Sequence, residues 1–309
     1  MILKSLLWRW VAKARLSMLL GLRRCGLLGR LNFVYPVAED GKRVRIPLLA
    51  GVGWDNIFMA ERWMGELLRL MLGLRPHGTF IDIGVNVGQT LIKLKRLESR
   101  QPYVGFEPNP VCVNYLNVLV RENRFEDAQI VPVGIFDQPA LLELLSPDEG
   151  DTAAGNASVM RALHRRGRKS AEGQWVALLP FELAASTLGL DEISILKIDV
   201  EGAEVFVLQS LENLVSRSRP PIILEVLPQH TAEATREKNA RLMEIFARWH
   251  YRLLRVRKDT ADRRVVGVEE IIDIGPNTDR QGWDYLVIPE EMLGEVQRAV
   301  EHGVGGHAA

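Results

Sequence analysis

The chain has 309 residues, 47% of them hydrophobic and 25% charged, which is typical of a globular protein with a sizeable core. Basic and acidic residues both number 39, so the net charge gives no reason to expect a nucleic-acid partner. Two cysteines, Cys25 and Cys112, are too few for a disulfide framework. No apolar run reaches the roughly 18 residues that a membrane-spanning helix needs, and we expect a cytoplasmic protein.

The N-terminal segment differs from the rest of the chain in its charge. No acidic residue precedes Glu39, whereas seven basic residues do: Lys4, Arg9, Lys13, Arg15, Arg23, Arg24 and Arg30. Residues 1–20 have the apolar spacing of an amphipathic helix with basic residues on the opposite face. Such a helix either makes peripheral contact with an anionic membrane or packs on the main domain with its basic face in solvent. The pattern leaves both open.

The chain is expected to divide near residue 50. Residues 1–49 form an extension, in which the turn signal Asp40-Gly41 predicts a hairpin of short strands. Residues 50–309 form the main domain, which begins with a predicted helix over residues 55–72 and a stop signal at Pro76.

Predicted strands and helices then alternate along the main domain. Strands are expected at 79–83, 103–106, 129–135, 193–198 and 222–226, and helices at 89–97, at 110–121 and from the fourth strand through 214. This alternation favours an α/β fold with a doubly wound, mostly parallel sheet covered on both faces. Residues 146–174, which include the Arg-rich stretch 161–169, interrupt the alternation and predict a loop insertion.

The strongest motif is the turn that leaves the first of these strands, Asp82-Ile83-Gly84-Val85-Asn86-Val87-Gly88. Gly84 and Gly88 let the backbone turn tightly and approach a ligand. Asn86 occupies the position where the dinucleotide fingerprint has its second glycine, which argues against a pyrophosphate site. Asp82 would repel a pyrophosphate but attract a cationic sulfonium cofactor. These four residues are therefore candidates for binding a cofactor.

A second motif, Gly105-Phe106-Glu107-Pro108-Asn109-Pro110, closes the next predicted strand. An acidic residue at this place can accept hydrogen bonds from the hydroxyls of an adenosine ribose. Folds that bind NAD use the same arrangement, so Glu107 indicates a ribose without identifying the cofactor. Asp137, after the third strand, is expected near the adenine.

The first candidate catalytic residues lie in the run Leu196-Lys197-Ile198-Asp199-Val200-Glu201-Gly202-Ala203-Glu204. Strand alternation places Lys197 and Asp199 on the same side of a strand that is expected to be buried on both faces. Buried charges require partners, so this pair is expected to belong to a functional site.

Three further residues are candidates for assisting Asp199. Glu201 and Glu204 either take part in catalysis or cap the following helix, and the sequence does not distinguish the two roles. His230 follows the fifth strand, which ends near Glu225, and the alternative for it is an ordinary surface histidine. No metal site is predicted.

Together these motifs resemble the FkbM-type methyltransferase family in order and spacing, across roughly residues 50–290. The most specific match is the Lys-Ile-Asp-Val-Glu-Gly run at 197–202, since the glycine turn alone fits most class I methyltransferases. The resemblance implies a Rossmann-like seven-stranded sheet, S-adenosylmethionine as cofactor and O-methylation of a hydroxyl. The acceptor that it implies is a sugar, glycolipid, polysaccharide or natural product.

The chain departs from the family pattern in two places. Family members usually carry Thr-Leu-Asp before the Lys-Ile-Asp strand, where this chain has Pro180-Phe181-Glu182, and an alanine where it has Val85. Two other functions stay open on the sequence alone. One is an NAD-dependent oxidoreductase on a similar sheet, and the other is a catalytically silent methyltransferase-like protein that acts as a membrane-docked partner.

Overall fold

The computed structural model describes residues 17–39, 42–58, 61–144, 174–229, 231–259, 264–276 and 278–305. Of the helix predicted over residues 1–20, residues 1–16 lie outside the described residues. Residues 17–24 are helical. The predicted insertion, apart from residue 174, lies outside them too, as does His230. No helix in the described ranges combines the length and the apolar character needed to cross a membrane.

The described secondary structure follows the predicted alternation. In chain order the strands are β1 (Asn32–Glu39), β2 (Lys42–Leu49), β3 (Thr79–Ile83), β4 (Tyr103–Phe106), β5 (Ala128–Val131), β6 (Gly134–Ile135), β7 (Ala140–Leu144), β8 (Gln174–Leu179), β9 (Ile193–Ile198), β10 (Ile222–Glu225), β11 (Tyr251–Lys258), β12 (Val265–Ile271) and β13 (Asp284–Pro289). The helices are α1 (Asp55–Phe58), α2 (Arg62–Leu74), α3 (Gln89–Arg96), α4 (Pro110–Asn123), α5 (Phe181–Leu188), α6 (Glu204–Ser210), α7 (Glu212–Ser218), α8 (Ala232–Trp249) and α9 (Leu293–Gly305).

The central sheet, as far as the structure describes it, has eight strands in the order β12-β11-β13-β10-β9-β3-β4-β5. The strands from β10 to β5 pair in parallel. β13 is antiparallel to both β10 and β11, and β12 is antiparallel to β11. The predicted Rossmann-like α/β fold is confirmed, and the expected number of seven strands is corrected to eight because β12 adds an edge strand beside β11.

Both faces of β3, β4, β9 and β10 are buried, as the nearly continuous apolar runs of these strands predict, whereas the edge strand β5 is partly exposed. Ile81 and Leu196 enter a core formed with α5 to α8. Their chain neighbours Phe80 and Ile195 point to the opposite face and enter a second core, which includes residues of α2, α3, α4 and α9. Strand alternation thus sends successive side chains to different cores.

The third predicted strand, over 129–135, is wrong as a single element. Its first part is β5 in the central sheet, and its second part is β6 in a small sheet of order β6-β8-β7. Pro132 lies between the two and has no N–H with which to continue a ladder. The Val133 N–H turns back to the Val131 carbonyl at 2.9 Å, which ends the strand. Two predicted helices are also divided. The helix predicted over residues 55–72 is described as α1 and α2, and the helix predicted after β9 is described as α6 and α7.

The N-terminal hairpin of β1 and β2 is confirmed, and it packs on the main domain. The Arg45 N–H donates to Asn123 Oδ1 at 2.7 Å, and Asn123 Nδ2 donates back to the Arg45 carbonyl at 2.8 Å. Val44 and Ile46 enter the same core as α2 and α4. The hairpin therefore extends the core of the main domain.

Candidate active site at the carboxyl edge of the sheet

A solvent-open cleft of about 770 Å³ lies at the carboxyl ends of β3, β4, β9 and β10. Each strand places one of the polar or turn residues of its motif in the lining: Gly84, Glu107, Asp199 and Glu225. In open α/β sheets, ligands bind outside this edge of the parallel strands. The topology thus brings together motifs that lie far apart in the sequence.

The glycine turn after β3 is shaped by backbone contacts. Gly84 has φ +87°, and a Cβ added there would lie 1.8 Å from the backbone oxygen of Asp199, so only glycine allows the chain leaving β3 to pass so close to β9. Asn86 also adopts a left-handed conformation and lines the cleft. Gly88 does not line it; it precedes α3, where a Cβ would meet Leu116 Cδ2 at 2.8 Å.

Glu107 is held rigidly at the floor of the cleft. Its Oε2 accepts the backbone N–H of Asn86 at 2.7 Å, and its Oε1 accepts the backbone N–H of Asn109 at 2.9 Å. Burial raises the pKa of this carboxyl group to about 7, although both backbone N–H groups oppose the rise. Because each carboxylate oxygen has more than one acceptor site, Glu107 can still bind a ligand's hydroxyls.

Beneath the cleft, Lys197 lies between two aspartates. Its Nζ is 3.2 Å from Asp199 Oδ2 and 3.5 Å from Asp82 Oδ1. Burial lowers the pKa of Lys197, but the negative charges of Asp199, Asp82 and Glu225 outweigh burial and leave the pKa above its ordinary value. Lys197 does not line the cleft itself, and it is positioned to hold Asp199 in place.

Asp82, one of the predicted cofactor-binding residues, has no exposed surface in the structure. Alternation along β3 turns it to the same face as Phe80, where it accepts a hydrogen bond from the Tyr103 hydroxyl at 2.7 Å. Burial raises the pKa of Asp82, while Lys197 and the Tyr103 hydroxyl lower it. Asp82 therefore lies beneath the lining of the cleft, where it contacts Tyr103 and Lys197.

Asp199 and Glu225 form a carboxyl pair in the lining of the cleft. The side chain of Asp199 is 30% exposed. Burial raises the pKa of Glu225 strongly, and the neighbouring charges of Asp199 and Asp284 and the hydrogen bond with Asp199 raise it further. The two carboxyl groups therefore interact directly in the lining of the cleft.

The remaining predicted residues are distributed differently. Glu201 lines the cleft. Glu204 is fully buried outside the lining, where its Oε1 accepts the Gly202 N–H at 2.8 Å and its Oε2 is 3.0 Å from Lys238 Nζ. These contacts join the turn before α6 to α8, and they do not cap the helix, whose N-cap is Ala203. Asp137 is exposed on the loop after β6 and is not among the described residues that line the cleft.

Two residues of the site had no signal in the sequence. Tyr103 lies inside an apolar strand and looks like a core residue, yet its hydroxyl completes the polar cluster around Asp82. Asp284 is the antiparallel neighbour of Glu225, and burial raises the pKa of its carboxyl group to about 6 even though it contacts Lys258. Only the pairing of β10 with β13 brings Asp284 to the site.

The ionisable side chains that line the cleft are acidic among the described residues. Among the described residues that line it, four have carboxyl groups and none is Lys, Arg or His; the four are Glu107, Asp199, Glu201 and Glu225. No group of three or more His, Cys, Asp or Glu in the described part of the chain is arranged to hold a metal ion. The cleft therefore suits an organic cation better than a polyanion.

Comparisons with known proteins agree with this geometry. The profile of the methyltransferase FkbM domain matches residues 82–253, more than half of the chain. Methyltransferase sdnD of Sordaria araneosa is 26% identical over 165 residues, which are 44% of this chain and 62% of sdnD. The chain thus matches less than two thirds of that curated relative.

Two solved structures are similar in part. Methyltransferase FkbM from Methylobacillus flagellatus KT has 13% identity and a TM-score of 0.41, covering 68% of this chain and 43% of that one. The O-methyltransferase from Bacillus cereus in complex with SAH has 10% identity and a TM-score of 0.42, covering 73% and 80%. At these scores the fold assignment rests on the strand order of the sheet, and the family assignment rests on the match over residues 82–253. The chain belongs to the FkbM methyltransferase family.

Proposed function

We propose that the cleft binds S-adenosylmethionine and that the protein transfers its methyl group to a hydroxyl of a small molecule, sugar, glycolipid or natural product. The observation that carries the proposal is the lining of the cleft, where four carboxyl groups occur without a basic residue among the described positions. S-Adenosylmethionine carries a sulfonium and an ammonium group, which such a lining attracts. The pyrophosphate of NAD would be repelled by the same carboxylates.

Two residues of the cleft support the binding of different parts of this cofactor. Glu107 is oriented by two backbone N–H groups and is placed to accept hydrogen bonds from the ribose hydroxyls. The close approach of Gly84 to β9 leaves backbone rather than side chain beside the ligand. When bound, S-adenosylmethionine supplies an electrophilic methyl group.

Transfer to a hydroxyl requires a base, because the acceptor oxygen loses its proton as it attacks. Asp199 is the candidate, since its carboxylate is partly exposed in the cleft and lies 3.2 Å from Lys197 Nζ. Lys197 stabilises the negative charge of Asp199, and the hydrogen bond with Glu225 orients it. Glu201, at the rim of the same cleft, is the second candidate for assisting the proton transfer.

Cofactor identity is tested by isothermal titration calorimetry with S-adenosylhomocysteine and with NAD. We expect heat with the first and none with the second. Glu107→Gln should weaken binding by roughly 10- to 100-fold, because a hydrogen bond to a charged group is worth about 1.5–3 kcal/mol. Glu126→Gln, at an exposed position away from the cleft, is the matched control. Binding of NAD without binding of S-adenosylhomocysteine would overturn the proposal in favour of an oxidoreductase.

Methyl transfer is tested with labelled S-adenosylmethionine and fractionated extracts of small molecules, glycans and lipids. We expect a labelled ether product with the natural protein, and a loss of about 10²- to 10⁴-fold in turnover for Asp199→Asn. The affinity for S-adenosylhomocysteine should be largely unchanged in that variant. Cofactor binding without transfer to any fraction would instead support a catalytically silent partner protein.

A further inference from the structure

The surface formed by the N-terminal segment combines basic and apolar side chains. Seven basic residues and no acidic residue precede Glu39 in the sequence. In the described part of this segment, Arg24 and Arg30 are exposed. Exposed large apolar side chains lie in the same short stretch: Met18, Leu20, Leu27 and Leu31. Four large apolar side chains are thus exposed within 14 residues of the chain, and exposed apolar surface of this kind is typical of an interaction site.

This segment is fixed to the folded domain. Leu19 and Leu28 are buried together with Leu48 of β2, which anchors the segment to the hairpin. The guanidinium group of Arg23 lies 4.5 Å from the centre of the Trp54 ring, a cation–π contact that fixes a second point. The exposed side chains of residues 18–31 therefore lie within or next to a segment that contacts the folded domain at two points.

The same surface continues to the edge of the sheet that holds the cleft. The Trp54 ring contacts Phe58 with ring centres 4.3 Å apart, and Phe58 is exposed. Asn56 lies between Trp54 and Phe58 in the sequence. Its Nδ2 donates to the Val87 carbonyl at 2.6 Å and to the Tyr115 hydroxyl at 2.9 Å. Because Val87 belongs to the glycine turn, the surface is hydrogen-bonded to one wall of the candidate active site.

Arginine interleaved with leucine, methionine and phenylalanine matches the boundary of a lipid bilayer. The aliphatic and aromatic groups enter the acyl boundary, and the guanidinium groups meet anionic headgroups. A nucleic acid would satisfy the arginines but leave the apolar side chains in water. We propose that residues 17–31, together with Phe58, dock the protein on an anionic membrane surface. This inference does not depend on the proposed methyl transfer.

The experiment is co-sedimentation of the full chain with vesicles of phosphatidylcholine alone and of an equimolar mixture with phosphatidylglycerol. We expect binding to the mixed vesicles that weakens as salt is added, because mobile ions screen the attraction. The double variant Arg24→Gln with Arg30→Gln should bind roughly thirtyfold more weakly, from about fivefold for each basic residue near such a surface. The matched control is Arg236→Gln with Arg241→Gln, two exposed arginines on α8.

A third variant tests the apolar component. Leu27→Gln should weaken binding to the mixed vesicles without reducing its dependence on salt, because no charge is lost. Since all the replaced side chains are exposed, we expect unchanged thermal unfolding for every variant. The proposal is overturned if the natural protein fails to sediment with mixed vesicles, or sediments equally with neutral ones. It is also overturned if the Arg24/Arg30 variant binds as well as the natural protein.

Discussion

Replacement of Lys197 by methionine should destabilise the fold strongly, because it leaves the Asp82 carboxylate buried without its counter-charge. Lys197 Nζ lies 3.5 Å from Asp82 Oδ1, and Asp82 is 0% exposed. Among the described hydrogen bonds, Asp82 accepts one, from the Tyr103 hydroxyl to its Oδ2. Removing one partner of a buried ion pair costs about 3–5 kcal/mol, and we expect a loss of unfolding free energy in this range. The loss of the Lys197–Asp199 ion pair contributes less to this change in unfolding free energy, because water reaches the Asp199 side chain.

The loss should depend on pH, and its sign follows from Asp82. Burial raises the pKa of Asp82, and without Lys197 the pKa rises further. An acid whose pKa is raised by folding loses stability as the pH increases from its unfolded value through its folded value. The deficit of Lys197→Met relative to the natural protein should therefore be larger at about pH 8 than at about pH 5. Urea unfolding followed by circular dichroism at both pH values measures it.

Two further variants make the result specific. Adding Asp82→Asn to Lys197→Met should restore much of the lost stability, since the uncompensated charge is gone. Lys42→Met removes a partner of Glu98 from an exposed pair with a separation of 3.0 Å, and it should cost less than about 1 kcal/mol. A loss of stability for Lys197→Met no larger than that for Lys42→Met, or equal at both pH values, would contradict a charged Asp82 that depends on Lys197.

Two other predictions concern the walls of the cleft. Burial places the pKa of Glu107 at about 7, and the ionised carboxylate is the better acceptor for ribose hydroxyls, so the affinity for S-adenosylhomocysteine should rise about tenfold from pH 6 to pH 8. Calorimetry should show no such dependence on pH for Glu107→Gln. An unchanged rise in that variant would contradict the role of Glu107. Gly84→Ala should lower the unfolding free energy by about 2–5 kcal/mol, from a left-handed backbone and a clash with the Asp199 backbone oxygen. Gly189→Ala has a similar positive φ but open space around its Cβ, so denaturant unfolding should show only the backbone cost of about 1–2 kcal/mol.

The glycine turn and the Glu107 motif could be located from sequence because their chemistry is local. Gly84 and Glu107 lie at the ends of short apolar strands, and parallel strands place such ends at one edge of the sheet. The predicted bounds of β3, β4 and β9 agree with the structure for the same reason, since each is a compact apolar run closed by a turn. These residues line the cleft as expected.

The surroundings of a side chain could not be predicted where they depend on what packs against it. Asp82 belongs to the same motif as Gly84, but the face that it occupies is covered by Tyr103 and Lys197. The sequence leaves Glu204 open between a catalytic and a capping role, and the ion pair with Lys238 on α8 is seen only in the structure. Desolvation and pairing of charges are properties of the packed molecule, and local residue patterns do not report them.

Local residue patterns were enough to predict the alternating architecture, the family resemblance and the set of motifs that meet at one edge of the sheet. Periodicity and turn chemistry act over a few residues, so they can be read along the chain. The packed sheet was needed to show which carboxyl groups face the cleft, that Glu225 contacts Asp199, and that Asp284 is paired beside Glu225 from β13. Such assignments depend on distance and burial, which the sheet establishes between residues that lie far apart in the sequence.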